Sequence, residues 1–287
     1  MKILVTGHRG ILGRALMREL PGHGFDVVGV DVAEMDVTDA RRVRGVMDEE
    51  RPAVVINCAA FTNVDGCESK RDLCFDVNGR GAGNVAAAAA AAGARVIHIS
   101  TDYVFDGRSR VPYKEGDGPE PLSAYGESKL DGEKRVAATA TEHVIVRTAW
   151  LFGAGGANFV SKIIARAKEG EPLEVVDDQR GSPTYAGHLA TALAKLVGLE
   201  FRGVLHVAGS GEASWFDVAG EILRLTGYRV PLRAIATADL ELPARRPRYS
   251  ALDASLYMAL TGEVMPPWQE GLAAYLREIE KGEPGAG

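Results

Sequence analysis

Cysteine is scarce in this chain. The three present, Cys58, Cys67 and Cys74, form no Cys-x-x-Cys pair, and an odd number does not suit a disulfide framework. No zinc-ligand spacing appears among them and the six histidines, so no metal is assigned. A reducing cytoplasm is the expected setting. Long apolar runs are also missing. Met1–Val5 is broken at once by Gly7-His-Arg-Gly10, and the alanine run from Ala86 to Ala92 is closed by Gly93 and Arg95, far short of a membrane span. Neither export nor membrane insertion is expected. Basic residues are in deficit, with 33 Lys and Arg against 39 Asp and Glu for a net charge of −6. The chain therefore lacks the global field that draws nucleic acid or anionic lipid, although a local basic pocket could still hold a phosphate.

What is present is ordinary for a globular enzyme: 46% hydrophobic and 25% charged residues over 287 positions, enough to bury a sizeable core. In the first half, β-rich runs at Lys2–Thr6, Asp26–Val30, Val54–Asn57, Val96–Ser100 and His143–Arg147 alternate with helical stretches. The helices are expected at Ile11–Leu20, Ala40–Glu50, Cys67–Asp72, Val77–Ala92 and Ser123–Thr139. The strands are nearly continuous in apolar character, as parallel strands covered on both faces must be. Right-handed βαβ crossovers, and hence a Rossmann-type doubly wound parallel sheet of the α/β class, follow.

After Trp150 the rhythm changes. Asn158–Lys168, Thr184–Val197 and Trp215–Thr226 read as helices, and Leu173–Val176 and Val204–Val207 as extended. Ser214 and Asp217 are spaced as a capping pair for the Trp215 helix. This division predicts a dinucleotide domain over 1–149, rejoined by about 184–199, and a smaller C-terminal α/β substrate lobe over 150–183 and 200–280. Pro243–Arg248 reads as a loop and 281–287 as a frayed tail.

Gly7, Gly10 and Gly13 lie between the first strand and the first helix, where the backbone must turn tightly and approach a pyrophosphate. The helix beginning at Ile11-Leu12 would offer its free amides to the phosphates. Without a ligand, the same glycines would make a plain strand-to-helix turn. Asp31 ends the second strand, where a carboxylate accepts hydrogen bonds from an adenosine ribose, which favours NAD. Arg9, inside the loop, could pair with a 2′-phosphate, so NADPH and NADH both stay open. Asp36-Val37 suits the adenine flank, and Ala60-Phe61-Thr62 follows the third strand with small residues where a flat cofactor needs clearance.

Tyr125 and Lys129 stand four apart on a predicted helix and so share a face. A lysine ammonium near a phenol would lower the phenol's pKa, and the tyrosine could then give its proton to a carbonyl oxygen as hydride arrives. Thr101 follows the strand Val96–Ser100, beyond whose carboxyl end ligands gather in open parallel sheets, and its hydroxyl could hold the substrate oxygen. Lys129 could also bind the nicotinamide ribose. Asn78 reads equally as a water-ordering neighbour of Lys129 and as a helix-face or capping residue. Cys58 has no histidine partner and reads as a buried small hydrophobe.

Ser100-Thr-Asp-Tyr-Val-Phe105, Tyr125-Gly-x-Ser-Lys129, Arg147-Thr-Ala-Trp150, Asp178-Gln-Arg-Gly-Ser-Pro-Thr184 and Arg246-Pro-Arg-Tyr-Ser250 together resemble the dTDP-4-dehydrorhamnose reductases, of the extended short-chain dehydrogenase/reductase superfamily. The resemblance covers nearly the whole chain. It implies reduction of the C4 ketone of dTDP-4-dehydro-β-L-rhamnose by NADPH or NADH, with Tyr125 as proton donor. It places Gly10-Ile11-Leu12, Asp31, Asp36-Val37 and Ala60-Phe61-Thr62 on the cofactor, and Thr101, Asp102 and Trp150 on the sugar. Trp150 would be a flat wall for the deoxysugar or else a core residue, and Arg246 would meet the diphosphate or belong to a solvated basic cluster. The family also implies a homodimer, in some members bridged by magnesium, for which no ligands match here. A 4,6-dehydratase is disfavoured because Tyr103 replaces the acidic base in its Thr-Asp-Glu motif. A reductase of another nucleotide-linked ketosugar and a non-catalytic dinucleotide-binding regulatory subunit are the remaining alternatives.

Overall fold

The computed structural model describes residues 1–281; the expected frayed tail lies outside them except for Lys281. In the first half, strands β1 (Lys2–Thr6), β2 (Asp26–Val30), β3 (Val54–Asn57), β4 (Arg95–Thr101) and β5 (His143–Thr148) alternate with helices. These are α1 (Ile11–Gly22), α2 (Ala40–Glu50), α3 (Val64–Ser69), α4 (Arg71–Phe75), α5 (Ala82–Ala91) and α6 (Ala124–Thr139). The second half runs β6 (Leu151–Phe152), α7 (Phe159–Lys168), β7 (Leu173–Val176), β8 (Arg180–Gly181), β9 (Thr184–Tyr185), α8 (Ala186–Leu196) and β10 (Gly203–His206). It continues through β11 (Ala213–Ser214), α9 (Trp215–Thr226), β12 (Leu232–Ile235), α10 (Ser255–Thr261) and α11 (Trp268–Glu280).

Six strands form one parallel sheet in the order β10-β5-β4-β3-β1-β2. Successive residues of each strand point to opposite faces, and both faces are covered. Ile3 and Val5 meet α1 and α8 through Leu12, Leu16, Leu189 and Leu193. Leu4 points the other way, into a layer with Val43 and Met47 of α2 and Val85 and Ala89 of α5. Within the alanine run, Ala86, Ala88 and Ala89 form the buried inner face of a helix lying on the sheet, while Ala87 and Ala90 to Ala92 are exposed. A separate core joins α7, α9 and α11 around Ile163, Ile222, Trp268 and Leu272.

The doubly wound parallel sheet expected from the sequence is present, and three local expectations change. The extended stretch expected at Val204–Val207 in the substrate lobe is the strand Gly203–His206, which pairs with Val144–Arg147 of β5 and completes the main sheet, so the boundary drawn at 200 falls too early. Tyr257 of α10 and Met265 pack into the same core. The expected helix Cys67–Asp72 resolves into α3 and α4, meeting at Lys70. The N-terminal part of Val77–Ala92 is a π-helical turn, Asp76–Gly81, before α5 begins.

Two helices begin at side-chain caps, of which the sequence predicts the second. Ser123 accepts from the Gly126 amide at 3.2 Å and starts α6. Ser214 and Asp217 exchange hydrogen bonds at 3.0 and 2.9 Å, a reciprocal capping box at the start of α9.

Candidate active site

The parallel register brings the carboxyl ends of β1, β3, β4 and β5 into line, with Thr6 beside Asn57 and Thr101 beside Thr148. Above them opens a cavity of about 770 Å³ running from the glycine loop to the second-half helices α7 and α9. Its size suits a cofactor and a small substrate together.

At one end the chain leaves β1 into the glycine turn. Gly7 has φ +64, and a Cβ there would stand 2.9 Å from the Ala59 nitrogen. A Cβ on Gly13 would come within 2.3 Å of the Gly7 carbonyl oxygen. Only glycine allows this approach. Gly10 begins α1 with no side-chain cap, so the first amides of the helix remain available to an anion. Glycine cradle, uncapped helix start and long adjoining cleft fit a dinucleotide. Gly7, Gly10, Ile11, Leu12, Gly13, Asp31, Asp36, Val37, Ala60, Phe61 and Thr62 all line this cavity, as do Thr101, Asp102, Tyr125, Lys129 and Trp150. NAD(P)H, when bound, supplies the hydride; the remaining chemistry belongs to the side chains.

Tyr125, Lys129 and Glu133 lie on one face of α6 at intervals of four, and that face is fastened to the sheet. The Lys129 ammonium donates to the Ile99 carbonyl at 2.6 Å. Glu133 forms a bidentate pair with Arg147 of β5, at 2.9 and 2.7 Å, and accepts from the Ser100 hydroxyl at 2.5 Å. These anchors fix the helix, and with it the height of the Tyr125 hydroxyl above the strand ends.

Tyr125 lines the cavity together with Thr101, and the edge of its ring meets Tyr103 with centroids 5.6 Å apart. Burial pushes its pKa well above the ordinary phenol value. The expected lowering by Lys129 is therefore not what this geometry produces. The lysine spends a donor on Ile99, and burial brings its own pKa down to about 8. A phenol held neutral is in the form a proton donor needs.

Asp102 is buried between two hydroxyls, accepting from Thr101 at 3.1 Å and from Ser250 at 2.5 Å. Desolvation raises its pKa to about 7 despite these bonds. Cys58 faces the cavity, but desolvation pushes its thiol up to about 12, which leaves it neutral and without nucleophilic character.

Asn78 turns out to be structural. From the π-helical turn it accepts from the Phe61 amide at 2.7 Å and donates to the Phe61 carbonyl and to Ser128 of α6, at 3.1 and 2.9 Å. It clamps the loop after β3 to α6.

Arg246 departs from expectation. Its guanidinium grips Asp65 in two bonds of 3.1 and 2.8 Å, donates to the Ala244 carbonyl at 2.9 Å, and does not line the cavity. It holds the Arg246–Ser250 segment in place, so that Ser250 reaches Asp102.

Trp150 has φ +47, a strained conformation for a bulky side chain, and lies flat against Trp215 with ring centroids 3.6 Å apart and planes 3° from parallel. Phe159 adds a third ring, 4.5 Å from Trp215. The end of the cavity formed with α7 and α9 is therefore an aromatic stack. Trp215 and Phe159 escaped sequence reasoning, with only the Ser214–Asp217 cap marking the neighbourhood of the first, while Ser250 entered only as the last residue of the Arg246–Ser250 motif, without its bond to Asp102.

A doubly wound sheet carrying a glycine cradle, with threonine, tyrosine and lysine at the carboxyl end of β4, defines an oxidoreductase of the extended short-chain dehydrogenase/reductase class. Comparison with known proteins narrows the class. Residues 1–281 match the RmlD substrate binding domain family. The dTDP-4-dehydrorhamnose reductase of Streptomyces griseus is 42% identical over 277 residues, covering 94% of this chain and 91% of that one. A dTDP-4-keto-6-deoxy-D-glucose reductase of Streptomyces niveus is 41% identical over 256 residues, 87% of each chain. The crystal structure of dTDP-4-dehydrorhamnose reductase from Bacillus anthracis in complex with NADP superposes with a TM-score of 0.94 at 39% identity, over 96% of this chain and 99% of that one. The chain belongs to the dTDP-4-dehydrorhamnose reductase family.

Proposed function

We propose that this protein reduces the C4 ketone of dTDP-4-dehydro-β-L-rhamnose to dTDP-β-L-rhamnose with NADPH or NADH, in the cytoplasm. The observation that carries the reading is the meeting of Tyr125, Thr101 and Lys129 in one cavity beside the glycine cradle. Thr101 orients the ketone oxygen, Tyr125 delivers the proton to it as hydride reaches C4, and Lys129 serves the nicotinamide ribose. Asp102 and Trp150 contact the sugar. Glycines 7, 10 and 13 take the pyrophosphate; Asp31, Asp36 and Val37 take the adenosine; Ala60, Phe61 and Thr62 flank the cofactor.

The experiment is oxidation of NADPH, and separately NADH, followed by nicotinamide absorbance with enzymatically prepared dTDP-4-dehydrorhamnose, the product being identified by NMR. Ketone-dependent oxidation giving dTDP-β-L-rhamnose supports the reading; cofactor binding without turnover refutes it.

The Streptomyces niveus relative favours a second reading, reduction of a different dTDP-linked 4-keto-6-deoxysugar. Running both ketosugars in the same assay separates the two. A dehydratase is disfavoured on chemistry, because burial raises the Tyr103 phenol's pKa and a neutral phenol is no base for removing a C5 proton. No helix among the described residues is long and apolar enough to cross a membrane. The homodimer implied by family resemblance is tested by light scattering.

A further inference from the structure

The adenosine end of the cleft carries an arrangement that the reaction itself does not require. The Asp31 carboxylate, at the end of β2, accepts from the Arg9 amide at 3.1 Å and from the Val32 amide at 2.9 Å. Glu34, three residues on, bends back over the same corner. One of its oxygens takes the Arg9 guanidinium at 2.5 Å and the other takes the Asp31 amide at 3.0 Å. Arg42 supports the turn from outside by donating to the Glu34 carbonyl at 2.6 Å. The backbone bond from Asp31, aided by Arg9, holds the Glu34 carboxyl below the usual range, so it is charged at neutral pH.

In a doubly wound sheet the acid ending the second strand meets the ribose 2′-hydroxyl, while a nearby arginine accommodates a 2′-phosphate. This chain has both parts, but the arginine is already committed. We infer that Glu34 sets the choice between NADH and NADPH by holding Arg9 and by adding a second carboxylate beside Asp31. A 2′-hydroxyl meets an acceptor here. A 2′-phosphate meets two negative groups and a cation that must first leave its partner. Because the Arg9–Glu34 pair is solvent-exposed and can open, what Glu34 governs is a ratio and not an exclusion.

The inference rests on the dinucleotide reading of the cleft, and the test separates the two. Isothermal titration calorimetry on the full chain compares ADP-ribose with 2′-phospho-ADP-ribose, for the wild type, Glu34→Gln and Glu34→Gln/Arg9→Met. The wild type is expected to bind the unphosphorylated probe more tightly. Glu34→Gln should shift the affinity ratio towards the phosphorylated probe by about tenfold, the scale of one new charge-assisted hydrogen bond between the released Arg9 and the 2′-phosphate. Adding Arg9→Met should abolish that shift. A ratio unmoved by Glu34→Gln, or a wild type already preferring the phosphorylated probe, overturns the inference while leaving the dinucleotide site intact. Failure of both probes to bind overturns the site as well. Glu34 is half-exposed, so the glutamine is accommodated without disturbing the core.

Discussion

Replacing Glu133 by leucine tests how the catalytic helix is held. The carboxylate and its partner Arg147 are only 5% and 4% exposed in their side chains, so the pair is fully desolvated. Removing one member leaves the Arg147 cation buried against Phe105, 5.1 Å from the ring centroid, with its Nη1 already lacking a hydrogen-bond partner. Stranding a buried charge in this way costs about 3–5 kcal/mol. At roughly 2–4 °C per kcal/mol for a chain of this size, the unfolding midpoint should fall by about 10 °C. Glu133→Leu/Arg147→Met removes both charges with apolar groups of similar volume and should recover most of that loss. The assay is a double-mutant cycle by thermal and urea unfolding. The reasoning fails if the single variant loses less than about 2 °C, or if the double variant is no better than the single. The double variant should also remain impaired in turnover although refolded, since α6 has lost its tie to β5; and because Glu133 raises the Lys129 pKa, that group should titrate below about 8.

Tyr125→Phe should keep cofactor binding and lose at least roughly a hundredfold in turnover, read by pre-steady-state reduction; undiminished turnover removes tyrosine as the donor. Trp215→Ala should raise KM for the ketosugar about tenfold with little change in KM for NADPH, because one ring of the stack at the sugar end is lost. Asp102 is raised from its unfolded value near 3.8 to about 7, so its contribution to stability is full below pH 3.8 and is lost as pH rises through 7. Asp102→Asn should therefore gain in melting temperature over the wild type on going from pH 4 to pH 8, and a difference that does not change with pH contradicts the assignment. Gly13→Ala should abolish dinucleotide binding in calorimetry and cost about 1–3 kcal/mol in unfolding, given the 2.3 Å approach of its Cβ to the Gly7 carbonyl.

Much of this fold was legible because its signals are local. Strand-sized apolar runs, glycines at a strand-to-helix turn and a serine three residues before an acid each report on their own neighbourhood. What stayed hidden depends on partners far along the chain. Gly203–His206 is four residues long, and only its parallel register with Val144–Arg147 makes it a sheet strand. Arg246 looked free for an anion because its partner, Asp65, is 181 residues away. The spacing of Tyr125 and Lys129 correctly puts them on one face, yet spacing could not show that the ammonium would give one of its donors to Ile99. Trp215 carries no motif at all; its stack on Trp150 exists only in the folded chain.

The position of β10 also sets an order of events during synthesis. Four of the five other strands, β1 to β4, are complete by residue 101 and β5 by residue 148, but the strand covering β5 ends at residue 206. Until that segment leaves the ribosome, the emerging sheet presents β5 with unpaired amides and carbonyls along one side, an open template for a neighbouring chain. The same strand also anchors the buried Arg147, opposite His206 in the ladder. A nascent chain arrested between these two points would be a nearly finished dinucleotide-binding domain with a sticky rim, and slow translation there should favour aggregation over a productive intermediate.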